Sequence, residues 1–390
     1  MAKFNFRGEI PGSKSVFNRT LIVQSYFPAL ALQGFSSCDD VVFMREGIRK
    51  ISQQSYVHCG EGGTTFRFLS LRASREAGEH FLEGTPRLLQ RPQKGLMDLL
   101  SQLGVKSELT SKALHIFSSG WQKPAAPLQV DTSESSQYAS ALILNAWNLN
   151  FDLEFELVGD KVSESYFLLT LQMLRDMGMV VHQNSRGYFI PAGQTLKKKE
   201  WRIESDLSSA FTMASAGALA GQSVLENFPT QSAQPDLVFL DIFKKMGVDF
   251  SVQGSTLTVN KTNPLRSLEW DLGQSPDLFP VLAVLCSYAA GTSRLFGAPH
   301  LTKKESNRIA KVSDLFRLAG ISHEALPDGM IIHGSSNQTP AQGVFNPDKD
   351  HRMVMAATLL NLQGHQIQIE EPDAINKSFP EFWSMIGVKP

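Results

Sequence analysis

Cysteine is scarce in this 390-residue chain: Cys38, Cys59 and Cys286 form no C-x-x-C pair, and one is left over from any pairing. That excludes a disulfide framework and a thioredoxin-type motif, and fits reduced thiols in the cytoplasm. The nine histidines show no H-x-x-x-H spacing, so no metal site is expected. A net charge of -1 lacks the electrostatic footprint of a general nucleic-acid binder. The longest apolar run, FPVLAVLCSYAA, is well short of the roughly 20 residues that span a membrane. The opening MAKFNFRGEI alternates and carries Glu9, unlike the apolar stretch of a signal peptide. A Walker A loop is also missing: in PGSKSVFNRT, Ser13 separates Gly12 from Lys14, and Gly8 lies one position too close. A soluble cytoplasmic protein follows, with neither nucleic acid nor membrane as partner.

What the chain does contain is repetition. Hydrophobic residues make up 42% and charged residues 19%, a globular balance, and the length suits two domains. An amphipathic helix ending in a hydrophobe, a glycine and a β-type residue recurs at Gly104, Gly178, Gly247, Gly320 and Gly387, at intervals of 67 to 74 residues. Glycine suits the position after a helix because it accepts the left-handed conformation there. Strand candidates follow four of these: ALHIF, GYFIP, STLTV and GMIIH.

A second helix recurs in the same frame, with a polar start and an Ala/Leu-rich body. Its copies begin at SKSVFNRTLIV, GGTTFRFLSL, SSQYASALIL, LSSAFTMASAGALA, SPDLFPVLAVL and DHRMVMAATLL. Each is apolar nearly all round, which predicts a buried helix. Six copies imply two domains of three units. The helix VVFMREGIRKISQQ has no glycine and strand pair after it, so one unit is shortened near residues 51–60. The chain also stops just after Gly387 without a hairpin, while KFNFRGEI is a strand without a unit. The two deficits cancel if that strand completes the C-terminal domain. The expected division is residues 13–204 as one domain and 1–12 plus 205–390 as the other, with the active site in the cleft between them.

The polar starts of the buried helices carry the chemistry. Lys14 and Arg19 stand on the first, Thr64, Thr65 and Arg67 on the second, Ser135, Ser136 and Gln137 on the third, and Asp206, Ser208 and Ser209 on the fourth; Asp277 opens the fifth, and His351 and Arg352 the sixth. Linkers add Arg87, Arg91, Lys303, Lys304, Glu305, Arg308 and Lys377. Taken singly, a loop lysine is a solvated charge, and Asp206 or a serine pair before an apolar run is a cap. Jointly, at equivalent repeat positions, they predict a site for a small polyanion bearing phosphate or carboxylate. Asp277 and Glu305 are the acid/base candidates.

The segments PGSKSVFNRT, GGTTFRFL, LLQRP, SSQYASALIL, VSESYF, SPDLFPVLAVL, HLTKKESNRI, DHRMVMA and KSFPEF together resemble, in order, the motifs of the 5-enolpyruvylshikimate-3-phosphate synthase family. The resemblance runs from Ile10 to Phe382. It implies an α/β fold of two domains, each of three βαβαββ units, and transfer of the enolpyruvyl group of phosphoenolpyruvate to the 5-hydroxyl of shikimate 3-phosphate on the route to chorismate. No metal or organic cofactor is implied, and a monomer is expected. By the same resemblance, Ser135, Ser136 and Ser163 hold the phosphate of shikimate 3-phosphate, Gln137 lies beside its ring and contacts phosphoenolpyruvate, and Ser15 and Arg19 anchor its carboxylate. Tyr166, Asp277, His300 and Lys304 complete that site. Lys14, Gly63, Arg91, Arg308, Arg352 and Lys377 are similar to the phosphoenolpyruvate clamp. Glu305 resembles the proton donor to the methylene, with Asp277 or Lys14 handling the hydroxyl proton.

The chain departs from the family pattern in three places. Glu61 stands in a loop that usually reads G-N-A-G-T, and is expected either to turn outward or to pair with Lys14 or Arg91. Asn307 replaces a common acid, removing a local partner of an arginine. Glu164 and Ser165 replace Lys-Pro at the substrate loop. Gly63 leaves room for the inhibitor glyphosate. Two other readings are a sibling enolpyruvyl transferase acting on UDP-N-acetylglucosamine, disfavoured by SSQ and by the lack of a cysteine-bearing loop, and a non-catalytic binding relative.

Overall fold

All five repeat glycines adopt positive φ, with Gly104 at 75°, Gly178 at 105°, Gly247 at 71°, Gly320 at 70° and Gly387 at 72°. Each follows a helix as the periodicity predicts, and the four strand candidates are strands Ala113–Ser118, Tyr188–Ile190, Thr256–Asn260 and Gly329–Gly334. The computed structural model describes residues 4–53 and 56–388. It divides into two units, one spanning Lys14–Ile203 and the other joining the residues up to Ser13 to those from Glu204 onward.

In the unit Lys14–Ile203, the order strand, helix, strand, helix, hairpin is complete twice. The first copy runs through strand Val57–His58, helix Gly63–Ala73, strand Gly78–Glu83, helix Lys94–Gln102 and the hairpin Lys106–Leu109 with Ala113–Ser118. Its first two strands pair in parallel and its hairpin closes antiparallel, and the sheet Leu128–Asp131, Leu153–Val158, Tyr188–Ile190, His182–Gln183 repeats that pattern. The third copy borrows its leading strand from far along the chain: Glu200–Arg202 runs parallel to Ala31–Gln33, beside helix Lys14–Tyr26. Helix Asp39–Ser52 is then followed by Val57–His58 with no hairpin among the described residues. Positions 54 and 55, inside the segment where shortening was expected, lie outside the described residues.

The other unit has the same plan. Sheets Phe4–Gly8, Gly221–Leu225, Thr256–Asn260, Asp249–Gln253 and Leu265–Arg266, Ala289–Phe296, Gly329–Gly334, His323–Leu326 are the full copies, and Gln342–Phe345 with Gln366–Ile369 is a two-stranded one. The N-terminal strand completes a sheet of this unit. The N-terminal strand leads the repeat of helix Leu207–Ala220, pairing Phe4 with Gly221 and Gly8 with Leu225, and the last sheet stays two-stranded among the described residues. Packing explains the choice: Phe4 and Phe6 join the core that contains Leu207 to Leu219, and Gly221 is needed because a Cβ there would lie 1.8 Å from the Phe4 carbonyl oxygen.

Each unit has its own apolar core, and the six Ala/Leu-rich helices run through these cores. Every residue from Leu207 to Leu219 is buried, as is every residue of Phe279–Ser287. Burying one Leu or Phe side chain contributes about 1.5–3 kcal/mol, so these helices are fixed by packing on all sides. Their polar first turns are fixed with them. No helix among the described residues is long and apolar enough to cross a membrane.

Candidate active site

Arg308 is the centre of the cluster in the unit that begins at Glu204. It is the first residue of helix Arg308–Ala319 and its side chain is 1% exposed. Its Nε donates to Asp350 Oδ2 at 2.9 Å, Nη1 to Asp277 Oδ1 at 2.8 Å, and Nη2 to Glu305 Oε2 at 3.0 Å. A buried guanidinium is costly to desolvate, and three carboxylates offset that cost. Burial works against its charge, but Asp350, Asp277 and Glu305 together raise its pKa above the ordinary arginine value.

Further cations surround the same carboxylates. Arg352 Nη2 donates to Asp277 Oδ2 at 2.9 Å and to Ser208 Oγ at 3.2 Å. Lys304 Nζ lies 3.8 Å from Asp277 Oδ1, and Lys377 Nζ donates to Glu305 Oε1 at 3.1 Å. Burial pushes the Asp277 carboxyl up, yet Arg352, Lys304 and Arg308 hold it well below the usual carboxylate range. Burial and the Lys304 and Arg308 charges depress the His300 imidazole to about 3 against the opposing pull of Asp277, so it is neutral at neutral pH. Asp277, His300, Lys304, Glu305, Arg308, Arg352 and Lys377 therefore belong to one network. Asp350 holds it: fully buried, it caps helix His351–Leu362 through the Arg352 N–H at 3.0 Å, and it accepts from Ser306 Oγ at 3.0 Å.

In the unit Lys14–Ile203 the candidates form three groups. Lys14 Nζ donates to Asp40 Oδ2 at 2.9 Å, and Glu61 is half-buried before helix Gly63–Ala73. A Cβ on Gly62 would lie 2.7 Å from Asp40 Oδ1, and one on Gly63 would lie 2.9 Å from Arg91 Nη1. The glycine pair thus lets Asp40 and Arg91 approach the helix start. Arg67 joins the next group, donating from Nη1 to Gln137 Oε1 at 2.7 Å and to Ser135 Oγ at 3.1 Å, with its guanidinium over the Tyr138 ring. Gln137 Nε2 donates to Thr64 Oγ1 at 3.0 Å, and Ser136 is buried beside them as the residue before helix Gln137–Leu144.

Arg19 organises the third group. Its Nε donates to Thr170 Oγ1 at 2.7 Å, Nη1 to the Ser15 carbonyl at 2.9 Å and Nη2 to the Tyr166 carbonyl at 3.1 Å. Burial lowers its pKa to about 10, which leaves it charged at neutral pH, and two of its five N–H groups remain beyond these three bonds. Ser163, with φ 52°, precedes helix Glu164–Asp176 and its carbonyl accepts from Tyr166 N at 3.1 Å, and Glu164 pairs with Lys161 at 2.9 Å.

Three structural carboxylate and cation roles escaped the sequence reading. Asp350 and Asp40 were not singled out, and Arg67 was noted only as a polar helix start. A buried arginine requires counter-charges, and an acid directly before His-Arg is a natural cap, so Asp350 was open to that inference. Asn307 removes nothing from Arg308: it caps the helix through Ala310 N at 3.1 Å, and Arg308 keeps three acids. Asp206 likewise is a cap, accepting from Ser209 N at 2.9 Å.

Repeated βαβαββ units with acids and cations gathered at helix starts define an enzyme class that handles small polyanions. The fold agrees with solved enolpyruvyl transferases: an EPSP synthase from Acinetobacter baumannii matches with a TM-score of 0.77 at 23% identity, over 99% of this chain and 95% of that one. The enolpyruvyl transferase NikO from Streptomyces tendae gives 0.74 at 14%, over 99% and 94%. A family model for EPSP synthase, 3-phosphoshikimate 1-carboxyvinyltransferase, matches residues 29–386. The 3-phosphoshikimate 1-carboxyvinyltransferase of Syntrophobacter fumaroxidans is 30% identical over 96% of this chain and 94% of its own, and that of Pyrococcus abyssi 34% identical over 83% and 76%. The chain belongs to the EPSP synthase family.

Proposed function

We propose that this chain transfers the enolpyruvyl group of phosphoenolpyruvate to the 5-hydroxyl of shikimate 3-phosphate and releases inorganic phosphate. The observation that carries this reading is the Arg308 network, in which two carboxylates suited to proton transfer stand among cations suited to a phosphate and a carboxylate. Glu305 delivers a proton to the methylene carbon as the 5-hydroxyl oxygen bonds to C2. Asp277 or Lys14 accepts the hydroxyl proton. The tetrahedral adduct then loses phosphate and returns a methyl proton to the Glu305 carboxylate, which restores the double bond. Lys14, Arg91, Arg308, Arg352 and Lys377 hold phosphoenolpyruvate, with Gly63 and Gln137 beside it. Ser135, Ser136 and Ser163 hold the phosphate of the sugar acid, and Ser15, Arg19, Tyr166, Gln137, His300 and Lys304 position the rest. Asp40 orients Lys14, and Arg67 orients Ser135 and Gln137. Fixed donors aimed at developing charge need no reorganisation during the reaction. The chain acts as a monomer in the cytoplasm, a setting that suits three buried thiols without a disulfide.

The test is phosphate release from phosphoenolpyruvate by the purified protein, with shikimate 3-phosphate or with UDP-N-acetylglucosamine. Release only with shikimate 3-phosphate supports the assignment. Release only with the nucleotide sugar overturns it.

A further inference from the structure

The carboxylates around Arg308 are of two kinds. Asp350 is 0% exposed and holds the Nε edge of the guanidinium, with a second, longer contact of 3.5 Å from Nη2 to its Oδ1. Asp277 and Glu305 are 22% and 15% exposed, and they take Nη1 and Nη2, the other edge. That second edge is a fork of two parallel donors, the geometry that grips a carboxylate or phosphate with two hydrogen bonds. It is already occupied. Arg352 spends an Nη2 bond on Asp277, and Lys377 spends one on Glu305.

We infer that Asp277 and Glu305 serve as place-holders for the substrate's anionic groups, filling the forked edge of Arg308 and the heads of Arg352 and Lys377 until phosphoenolpyruvate displaces them. This rests on the assignment of those cations to phosphoenolpyruvate. The exchange trades one anion for another on each cation, so the buried arginine is never left without counter-charge. Asp350 stays in place throughout and keeps Arg308 aimed. The exchange also couples binding to chemistry, because a carboxylate gripped by two guanidinium groups is a poor proton acceptor and becomes a better one when they turn to the substrate. The carboxylates therefore weaken binding of phosphoenolpyruvate while enabling its reaction.

Titration calorimetry of the full chain saturated with the 5-deoxy analogue of shikimate 3-phosphate, which lacks the nucleophile and so prevents turnover, tests this, using phosphoenolpyruvate and, separately, inorganic phosphate. Asp277→Asn and Glu305→Gln should each bind phosphoenolpyruvate about tenfold more tightly than the unmodified protein, even as turnover is lost. Asp350→Asn should bind it no more tightly, because Asp350 is not displaced. Equal or weaker binding in both Asp277→Asn and Glu305→Gln overturns the inference, as does the same tightening in Asp350→Asn, which would reflect general loss of negative charge. Failure of the unmodified protein to bind phosphoenolpyruvate at all would instead overturn the functional assignment beneath it. Circular dichroism of each variant confirms that the folded state is being compared.

Discussion

Arg308 Nη1 donates to Asp277 Oδ1 at 2.8 Å, joining an almost fully buried cation to a half-buried carboxylate 31 positions earlier in the chain. One residue comes from a linker before a buried helix and the other from the first turn of a helix. Their meeting gathers charged residues from two repeats into one cluster.

Stability rests on the buried side of that cluster. Asp350→Ala removes the helix cap and the carboxylate on Arg308 Nε. Breaking one partner of a buried pair leaves an uncompensated charge, and with Asp277 and Glu305 still present the loss should be about 3 kcal/mol. Urea unfolding followed by circular dichroism measures it; a loss under about 1 kcal/mol would show that Asp350 is not essential to the network.

On the proposed mechanism, turnover depends on the accessible side. Glu305→Gln and Lys14→Ala should each lower kcat at least about a hundredfold, in line with loss of a positioned proton-transfer group. Near-normal rates would remove that residue from the mechanism.

Gly63 sits against Arg91, and a methyl group there would lie 2.9 Å from Nη1. Gly63→Ala should therefore raise KM for phosphoenolpyruvate about tenfold while KM for shikimate 3-phosphate stays within about twofold. The affinity for glyphosate should fall with it. An equal rise in both KM values would mean that the helix start itself had moved.

His300 predicts a pH effect on stability. Its pKa is about 3 in the folded protein and 6.5 as an ordinary histidine, with burial the largest cause. Above pH 6.5 both states are neutral and nothing is lost. Between about pH 6.5 and pH 3 the unfolded chain binds the proton and the folded chain does not, so stability falls as pH falls. His300→Gln should flatten the urea midpoint between pH 7 and pH 4.5 relative to the unmodified protein. Asp277 acts in a lower window, stabilising above the ordinary carboxylate value near 3.8 and losing that contribution as pH falls toward its depressed folded value. The two effects are separable on that basis.

Much of this was legible in the sequence because the repeat writes one message several times. Gly104 through Gly387 mark helix ends for a local reason, a backbone conformation that other residues rarely adopt. Apolar residues on all sides marked the buried helices, and their polar first turns marked the candidate site. The partners of the cations were harder to see. Asp350 and Arg308 are 42 positions apart, and Lys14 and Asp40 are 26 apart, so their pairing is decided by how helices pack and not by spacing along the chain. The place of the N-terminal strand within its unit is decided in the same way. Its phenylalanines Phe4 and Phe6 share a core with helix Leu207–Ala220, a fact of three-dimensional packing.

The most direct test of the central claim is identification of the product by NMR, after incubating the protein with shikimate 3-phosphate and phosphoenolpyruvate labelled with carbon-13 at C2. The account predicts a vinyl ether carbon coupled to the proton at C5 of the shikimate ring, formed in step with inorganic phosphate. Labelled pyruvate as the product, or unchanged phosphoenolpyruvate with shikimate 3-phosphate bound, would contradict it.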